Sequence, residues 1–485
     1  MARASAGWRF DNSYARLPSA LFSRVAPTAV RSPRLTVVND DLAAALGLDP
    51  AALRETPGVF SGNALPEGSD PIAQAYAGHQ YGHFVNLGDG RALLLGEQLT
   101  PAGRRFDIQL KGSGRTPYSR QGDGRAALGP MLREYVIGEA MHALGIPTTR
   151  ALAVVTTGET VRREVPLPGA VLTRVAASHI RVGTFQFAAA LGDPGLLPTL
   201  LGHAIDRHDP GLAGGAAAPR AFLDAVVGRQ AELVARWMLV GFVHGVMNTD
   251  NCAVSGETID YGPCAFLDTH DPAAVFSSID HHGRYAFGNQ PAITHWNLAR
   301  LAEALLPVMD GGEEAALAAA RDVLATFPGR YGHHYRTGLC AKLGLFAATT
   351  ADTALGERLL AIMATARADF TVTFAALADM AEGRAAPPVD TAEFHAWQED
   401  WRAQLTRQPQ PLAEATALMR RSNPQVIPRN HLVEAALEAA VAGDIAPCER
   451  LVAAVRDPFV ATAANAPFRA PPPTGGPCYK TFCGT

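Results

Sequence analysis

The sequence lacks any apolar run long enough to cross a membrane. A spanning helix needs about 20 consecutive apolar residues, and the longest comparable stretch, residues 237–243, is short and interrupted by Gly241. Cysteine is also scarce: the six cysteines of this 485-residue chain form no dense disulfide framework. Residues 1–30 have no apolar segment of the secretory type, and an amphipathic transit peptide is the alternative. We therefore expect a cytoplasmic protein without membrane contact.

The sequence also lacks a strong excess of charge of one sign, and it contains no internal repeats. The net charge is -4 and the pI is near 6.4, so no general basic field attracts nucleic acid, and small anions and other proteins are the expected partners. Without a periodic repeat a solenoid is not expected. Because 48% of the residues are hydrophobic and 18% are charged, the chain is expected to bury a large core in two lobes or closely packed domains.

The middle of the chain contains a pattern typical of a kinase-like metal site. His244 and Asn251 have the spacing of the kinase catalytic loop, and Asp260-Tyr261-Gly262 stands in for the later Asp-Phe-Gly. In kinases the Asn and the later Asp hold magnesium beside the phosphates. Where kinases carry the catalytic base this chain has Val246, which cannot accept a proton, and the nearest carboxylate is Asp250. The pattern predicts phosphate chemistry with its usual base missing.

Two glycine-rich turns further upstream predict contacts with phosphate. The first contains Gly88, Gly90 and Arg91, and the second contains Asp123 and Gly124. Glycine removes the side chain that would keep backbone N–H groups away from phosphate oxygens. A plain hairpin with Asp-Gly at its tip is the alternative for the first turn. The second turn either contacts the nucleotide or only shapes the loop.

A lysine at the end of a predicted strand is expected to reach the same phosphates. Apolar residues alternate along residues 106–110 and lead to Lys111, which can bind phosphate as a point charge. An edge lysine that prevents aggregation is the alternative. The next predicted helix, residues 130–144, carries Glu134 and Glu139, and kinases restrain their strand lysine with a carboxylate from such a helix. Glu134 is favoured, and Glu139 remains open.

Two arginines follow the next pair of predicted strands. Residues 151–156 and 169–175 are predicted to be strands joined by a turn at residues 157–159, which completes a small sheet with one helix. Arg174 and Arg181 come at the exit of this sheet. If they point inward, they would stabilise a polyphosphate or a departing pyrophosphate; the surface is the usual alternative for arginine.

The second half of the sequence is predicted to be mostly helical, since its apolar residues recur at three and four positions. A long polar segment between Asp260 and Trp296 contains His281 and His282. These histidines, like the pairs 79/83 and 333/334, are expected to pack or hydrogen bond instead of binding metal. The proline- and glycine-rich tail, residues 466–485, is expected to lie extended on the surface. A helix is predicted at residues 40–46, and further helices at 221–243, 296–306, 313–326, 355–377, 391–405, 431–442 and 448–455.

Long stretches of the chain closely resemble the SelO/YdiU family of kinase-like protein nucleotidyltransferases. The resemblance covers residues 75–91, 107–125, 133–152, 241–268 and 481–485. It implies an α+β, two-lobed protein-kinase-like fold, with a small antiparallel sheet and a helix in the N-terminal lobe and a larger helical C-terminal lobe. The expected divisions are an N-terminal arm (1–70), the N-lobe (71–185), the helical C-lobe (186–465) and the tail (466–485).

The resemblance also implies an activity. Such enzymes bind ATP in an inverted orientation, transfer AMP to Ser, Thr or Tyr hydroxyls of client proteins and release pyrophosphate; some relatives transfer UMP from UTP with manganese. The expected metal is Mg²⁺ or Mn²⁺ on Asn251 and Asp260, the expected base is Asp250, and the expected state is a monomer. A phosphotransferase that uses Asp250 as base and a catalytically silent nucleotide-binding scaffold are the alternatives. The nucleotide contacts implied by the resemblance are Gly88, Gly90, Arg91, Lys111, Asp123, Gly124, Arg174, Arg181 and Asp260.

Cysteines near the end of the chain raise the question of redox control. Cys483 occupies the position where some relatives carry selenocysteine, and in certain relatives the tail is thought to be tied to a cysteine in the activation segment. Between Cys264 and Cys340 this chain has no cysteine. Such a bridge is therefore not expected here; Cys478 is the nearest alternative partner, and free thiols are the simpler expectation.

Overall fold

An antiparallel sheet occupies much of the first 176 residues of this α+β protein. The computed structural model describes residues 6–212, 215, 217–473 and 481. Within these residues the sheet has eight strands in the order β1-β3-β6-β7-β10-β9-β2, with β8 paired to β10, and two separate two-stranded sheets, β4–β5 and β11–β12, lie outside it. The strands are β1 (Phe22–Arg24), β2 (Arg34–Val38), β3 (Ile72–Gln74), β4 (Ala77–Gln80), β5 (His83–Asn86), β6 (Ala92–Leu99), β7 (Arg105–Lys111), β8 (Ala126–Ala127), β9 (Arg150–Arg162), β10 (Pro166–Ala176), β11 (Phe242–Val243) and β12 (Ala265–Phe266).

Helices dominate the chain after residue 181. Within the described part of the chain, no helix is both long and apolar enough to span a membrane. The helices are α1 (Asp40–Ala45), α2 (Pro50–Arg54), α3 (Pro57–Ser61), α4 (Leu128–Ala143), α5 (Val182–Ala190), α6 (Leu196–His208), α7 (Ala218–Val240), α8 (Gln290–Leu305), α9 (Gly312–Leu324), α10 (Phe327–Lys342), α11 (Thr350–Ala366), α12 (Phe370–Ala381), α13 (Ala392–Arg407), α14 (Leu412–Ser422), α15 (Asn430–Val441), α16 (Ala446–Val455) and α17 (Ala466–Arg469).

The central position of β7 determines which of its side chains face the functional cleft. It pairs with β6 on one side and β10 on the other. Ile108 and Leu110 belong to a core cluster that also contains residues of α1 and α2 and Phe60 of α3. Because side chains alternate along a strand, Gln109 and Lys111 point to the opposite face. The sequence alternation therefore predicts the direction of Lys111 correctly.

The helix α4 is buried between the sheet and the C-terminal helices. It packs against β9 and β10 on one side and against α15 and α16 on the other. One hydrophobic cluster consequently extends from Tyr14 through Leu132 to Val455. The predicted divisions at residues 70, 185 and 465 remain predictions.

Several predicted boundaries are wrong, each for a local reason. The turn predicted at residues 157–159 is a bulge inside β9, with Gly158 in the left-handed region (φ 71), and the connection to β10 lies at residues 163–165. The helix predicted to end at residue 243 ends at Val240, where Gly241 is left-handed and the chain enters β11. The helix predicted over 355–377 is two helices, because Arg367 is left-handed and Asp369 caps α12.

Other helices were not predicted individually. They are α2, α3, α5, α6, α10 and α14, and His333 and His334 lie within α10. The tail also differs from the extended prediction, since it begins with the short helix α17. Thr481 is buried against the polar segment, where it pairs with Ser277. The cysteines Cys478 and Cys483 lie outside the described residues.

Candidate active site

All eleven residues predicted to bind nucleotide or metal, or to act as base, line one cleft of about 470 Å³. The glycine-rich turns and β7 contribute from the sheet, and the segment 246–260 contributes from the opposite wall. The sequence-predicted lining residues are Gly88, Gly90, Arg91, Lys111, Asp123, Gly124, Arg174, Arg181, Asp250, Asn251 and Asp260. The fold thus brings residues that are far apart in the sequence into one cleft.

The first glycine-rich turn packs directly against residues 116–119, which lead into the second. Gly88 has φ 138, and a Cβ there would overlap the ring of Tyr118. Thr116 Oγ1 donates to the carbonyl oxygen of Asp89 (2.7 Å), and the Ser119 hydroxyl donates to the carbonyl oxygen of Gly90. The hairpin alternative for the first turn is wrong, because this turn joins β5 to β6, which do not pair with each other.

Lys111 is held by carboxylates from two different elements. Its Nζ lies 2.6 Å from Oε2 of Glu134 on α4 and also contacts Oδ1 of Asp260. Glu139 instead pairs with Arg150 (2.9 Å) and Arg456 (2.9 Å). Glu134 is therefore the lysine's partner on the helix. The edge-lysine alternative is wrong, because β7 is a central strand and Lys111 is only 5% exposed.

Arg174 extends the same ion-pair network. Its guanidinium lies 3.1 Å from Oδ1 of Asp260 and 3.3 Å from Oε1 of Glu134, and it also donates to Oε1 of Gln109. Two buried cations thus share two carboxylates. Buried charges are stable only when they are paired in this way.

Arg181 is buried as well, on the side of the cleft that carries Asp250. Its guanidinium lies 4.3 Å from the centre of the Tyr76 ring and donates to the backbone carbonyl oxygen of Asp250 (3.2 Å). Asp89 is the nearby carboxylate, at 3.7 Å. Both arginines are 2% exposed, so the surface alternative is wrong for each of them.

Asp260 has an unusual backbone and a strongly stabilised negative charge. Its φ of 65 lies in the left-handed region, which non-glycine residues adopt rarely and mostly at functional sites. Burial opposes ionisation, but Lys111, Arg174 and Arg181 outweigh it and hold the pKa of Asp260 well below its usual value. The group is therefore a carboxylate at neutral pH.

Asp250 lies in a short 3-10 turn, Thr249–Asn251. Its two carboxylate oxygens accept hydrogen bonds from Nε2 of Gln80, at 2.9 and 3.0 Å. Burial raises the pKa of Asp250 to about 6, although Arg181 opposes the rise. A carboxylate of this basicity, 9% exposed, can accept a proton near neutral pH.

The oxygen ligands present are suited to a hard divalent cation. The amide nitrogen of Asn251 donates to the carbonyl oxygen of Val246 (3.0 Å), which directs the amide oxygen away from that carbonyl. Amide and carboxylate oxygens suit Mg²⁺ and Mn²⁺. Among the described residues, no group of three or more His, Cys, Asp or Glu side chains is placed to hold a metal. Asn251 and Asp260 would therefore depend on phosphate oxygens to complete the coordination, as is usual for Mg²⁺.

The family of the chain follows from comparison with known proteins. The family model described as "Protein adenylyltransferase SelO" matches residues 6–456. The chain belongs to the SelO family. Proteins named "Protein nucleotidyltransferase YdiU" from Geobacillus kaustophilus and Brevibacillus brevis are 58% and 57% identical over 483 and 482 residues, covering 99% of this chain and 100% and 98% of theirs. A third, from Bacillus cytotoxicus, is 55% identical over 486 residues, covering 100% of this chain and 99% of its own. The predicted enzyme class, nucleotidyltransferase, is confirmed.

Sequence reasoning missed several cleft residues of this SelO family member. Tyr76, Gln80 and Asn248 line the cleft together with the predicted residues. Gln80 stands between His79 and Tyr81 in a stretch whose glycines and histidines are the more typical site residues. His79 itself hydrogen bonds with Gln186 (2.9 Å). The only available signal for Gln80 was its place in a hairpin whose strand Ala77–Gln80 is too short to be identified by alternation.

Proposed function

We propose that this protein transfers AMP from ATP to Ser, Thr or Tyr hydroxyls of client proteins and releases pyrophosphate. The names of the family model and of the relatives support this activity. The observation that carries the proposal is the position of the Asp250 carboxylate, which lines the same cleft as Asn251 and Asp260, while the kinase base position is Val246. A proton acceptor is thus available without the usual kinase aspartate.

The proposal includes a kinase-like arrangement of two lobes around this cleft. The Lys111–Glu134 pair joins a sheet strand to the packed helix α4, as in kinases. Asn251 and Asp260 follow in the kinase order on the opposite wall. The N-lobe would then correspond to residues 71–185 and the helical C-lobe to residues 186–465.

The chemical step is an attack by the client hydroxyl oxygen on the α-phosphorus of ATP. A bond forms between that oxygen and phosphorus while the bond from phosphorus to the bridging oxygen of the β-phosphate breaks, and pyrophosphate leaves. Asp250 accepts the hydroxyl proton. Lys111, Arg174 and Arg181 supply positive charge for the departing pyrophosphate.

This assignment requires the α-phosphate to lie beside Asp250, which is the inverted orientation of ATP. The glycine turns around Gly88 and Gly124 would then bind the distal phosphates through backbone N–H groups, together with Arg91. A bound Mg²⁺ or Mn²⁺, held by Asn251 and Asp260, would neutralise phosphate charge during transfer.

The deciding experiment compares two labels. The full chain is incubated with a cell lysate and ATP labelled at either the α- or the γ-phosphate, with Mg²⁺ or Mn²⁺. We expect label on protein from α-labelled ATP only. Label from the γ-position alone would replace the proposal with phosphotransfer, and nucleotide binding without label would favour a silent scaffold. UTP labelled at the α-phosphate tests UMP transfer in the same assay.

We further propose that the enzyme acts as a monomer in the cytoplasm on protein clients. The low cysteine content supports the location. Light scattering on the purified chain tests whether it is a monomer, since a dimer would have twice the chain mass of 51.2 kDa.

A further inference from the structure

The hairpin β4–β5 lies directly against the turn that carries Asp250. The backbone N–H of His79 donates to Oγ1 of Thr249 (2.8 Å), and the backbone N–H of Tyr81 donates to Oδ1 of Asn248 (3.1 Å). Two consecutive residues of the segment 246–260, Asn248 and Thr249, are thus held by alternate residues of the hairpin. Gln80 lies between those two contacts, so its side chain is delivered to the next residue of the segment, Asp250.

Gln80 makes an unusually specific contact with this carboxylate. Its single amide nitrogen lies 2.9 Å from one oxygen of Asp250 and 3.0 Å from the other. A donor shared almost equally by both oxygens fixes the rotation of the carboxylate as well as its position. The guanidinium of Arg181 does not replace this contact, because it donates to the backbone carbonyl of Asp250.

Two glycines allow the hairpin to approach so closely. A Cβ at Gly78 would overlap Oδ1 of Asp250, and a Cβ at Gly183 on α5 would overlap the carbonyl oxygen of Ala77. Neither glycine has a positive φ, so space and not backbone conformation excludes a side chain at these positions. The backbone of the hairpin therefore packs directly against the Asp250 side chain and against the backbone at the start of α5.

We propose that Gln80 is a positioning residue that holds the Asp250 carboxylate in the orientation needed to accept the substrate proton, with the β4–β5 hairpin as its rigid support. This inference rests on the proposed function in treating Asp250 as the base. Gln80 acts through Asp250: it orients the acceptor and transfers no proton itself. The effect of its removal should appear in the chemical step and not in nucleotide affinity.

The first test is Gln80→Leu, which keeps the approximate shape and removes the donor. We expect kcat for transfer to fall about 100-fold, the loss that a misplacement of about 1 Å can cause, with KM for ATP little changed. His83→Ala is the matched control, because His83 lies directly opposite Gln80 in the same hairpin and is exposed. It should keep the wild-type kcat. A wild-type kcat in Gln80→Leu would overturn the inference.

A double-mutant cycle distinguishes positioning from direct contact with substrate. If Gln80 acts through Asp250, Gln80→Leu adds no further loss in an Asp250→Asn background, because residues that act as a unit are not additive. If the fold-losses of transfer rate in the two single variants multiply in the double variant, the inference is overturned and Gln80 has an independent role.

A second variant keeps the test valid if Gln80→Leu is poorly folded. Gly78→Ala removes no polar group but places a methyl group against Asp250, so it should lower kcat in the same way; a full kcat would count against the inference. Melting temperatures identify the folded variants. Failure of the proposed function can be distinguished from failure of this inference, because wild-type protein would then transfer only the γ-label. The same variants can in that case be compared through the γ-label reaction.

Discussion

The sharpest prediction concerns the two buried glutamates of α4. Glu134 and Glu139 are 5% and 1% exposed, and each pairs with two basic side chains. Only the partners of Glu134, Lys111 and Arg174, line the cleft. Glu134→Gln and Glu139→Gln are therefore matched changes: each removes one buried charge from the same helix, one beside the proposed active site and one away from it.

The expected loss of stability follows from the ion pairs. Breaking a buried pair by removing one partner costs about 3–5 kcal/mol. Unfolding entropy is about 2.1 cal/mol/K per residue, which gives about 1 kcal/mol/K for a chain of this length, so either variant should melt about 3–5 °C below the wild type. In Glu134→Gln, Asp260 is left as the carboxylate shared by Lys111 and Arg174.

Activity should separate the two variants. We expect Glu134→Gln to lower kcat/KM for nucleotide transfer about 100-fold, because Lys111 loses the partner that fixes it against the phosphates. Glu139→Gln should transfer at the wild-type rate below its melting temperature. Saturating ATP with metal should also stabilise Glu134→Gln more than the wild type, since the phosphates supply negative charge to the cations that have lost Glu134.

The assay combines differential scanning fluorimetry with initial rates measured at least about 10 °C below each melting temperature, so that loss of folded protein does not contribute to the measured rate. Equal losses of rate in both variants would refute the reasoning, because the effect would then reflect stability alone. A wild-type rate in Glu134→Gln would show that Lys111 does not need this partner.

Three further predictions can be checked with the same preparations. Asp260→Ala should abolish transfer and metal-dependent nucleotide binding by calorimetry; full activity would contradict the metal assignment. Lys111→Ala should lose most of the transfer rate with the fold retained by circular dichroism, and wild-type kinetics would make the lysine structural only. Burial lowers the pKa of Lys342 to about 7, so between about pH 7 and 10 the unfolded chain binds a proton that the folded chain does not, and the unfolding free energy rises with pH. Lys342→Met should remove that rise, and melting curves that keep the wild-type pH dependence would contradict the shifted pKa.

Much of the cleft was predictable because its chemistry is encoded locally. Lys111 ends an alternating strand, and Asn251 and Asp260 stand in a short ordered pattern, so residue type and spacing were enough. The sequence could not decide which glutamate pairs with Lys111, because Glu134 and Glu139 lie on the same helix. The choice depends on how α4 is rotated against β9 and β10, which is a property of packing.

The errors share a different cause. The helix boundary at Arg367 depends on a left-handed residue that is not glycine, and sequence signals for helix ends rely on glycine. Gly158 was interpreted as a turn although it forms a bulge, since both uses need the same backbone freedom. Gln80 was missed because its role depends on a contact across 170 residues of sequence.

In the proposed function the proton acceptor lies at position 250 instead of the kinase position 246, and the contacts of the segment 246–251 accommodate this exchange. The carbonyl oxygen of Val246 still orients Asn251, and this backbone role does not need a carboxylate. Asp250 and Asn251 are neighbours in a 3-10 turn, in which successive side chains point about 120° apart. One residue can therefore face the metal position while the other faces the incoming hydroxyl. In the proposed function the valine at 246 therefore does not leave the site without a base, because Asp250 in the next turn of the same segment supplies the carboxylate.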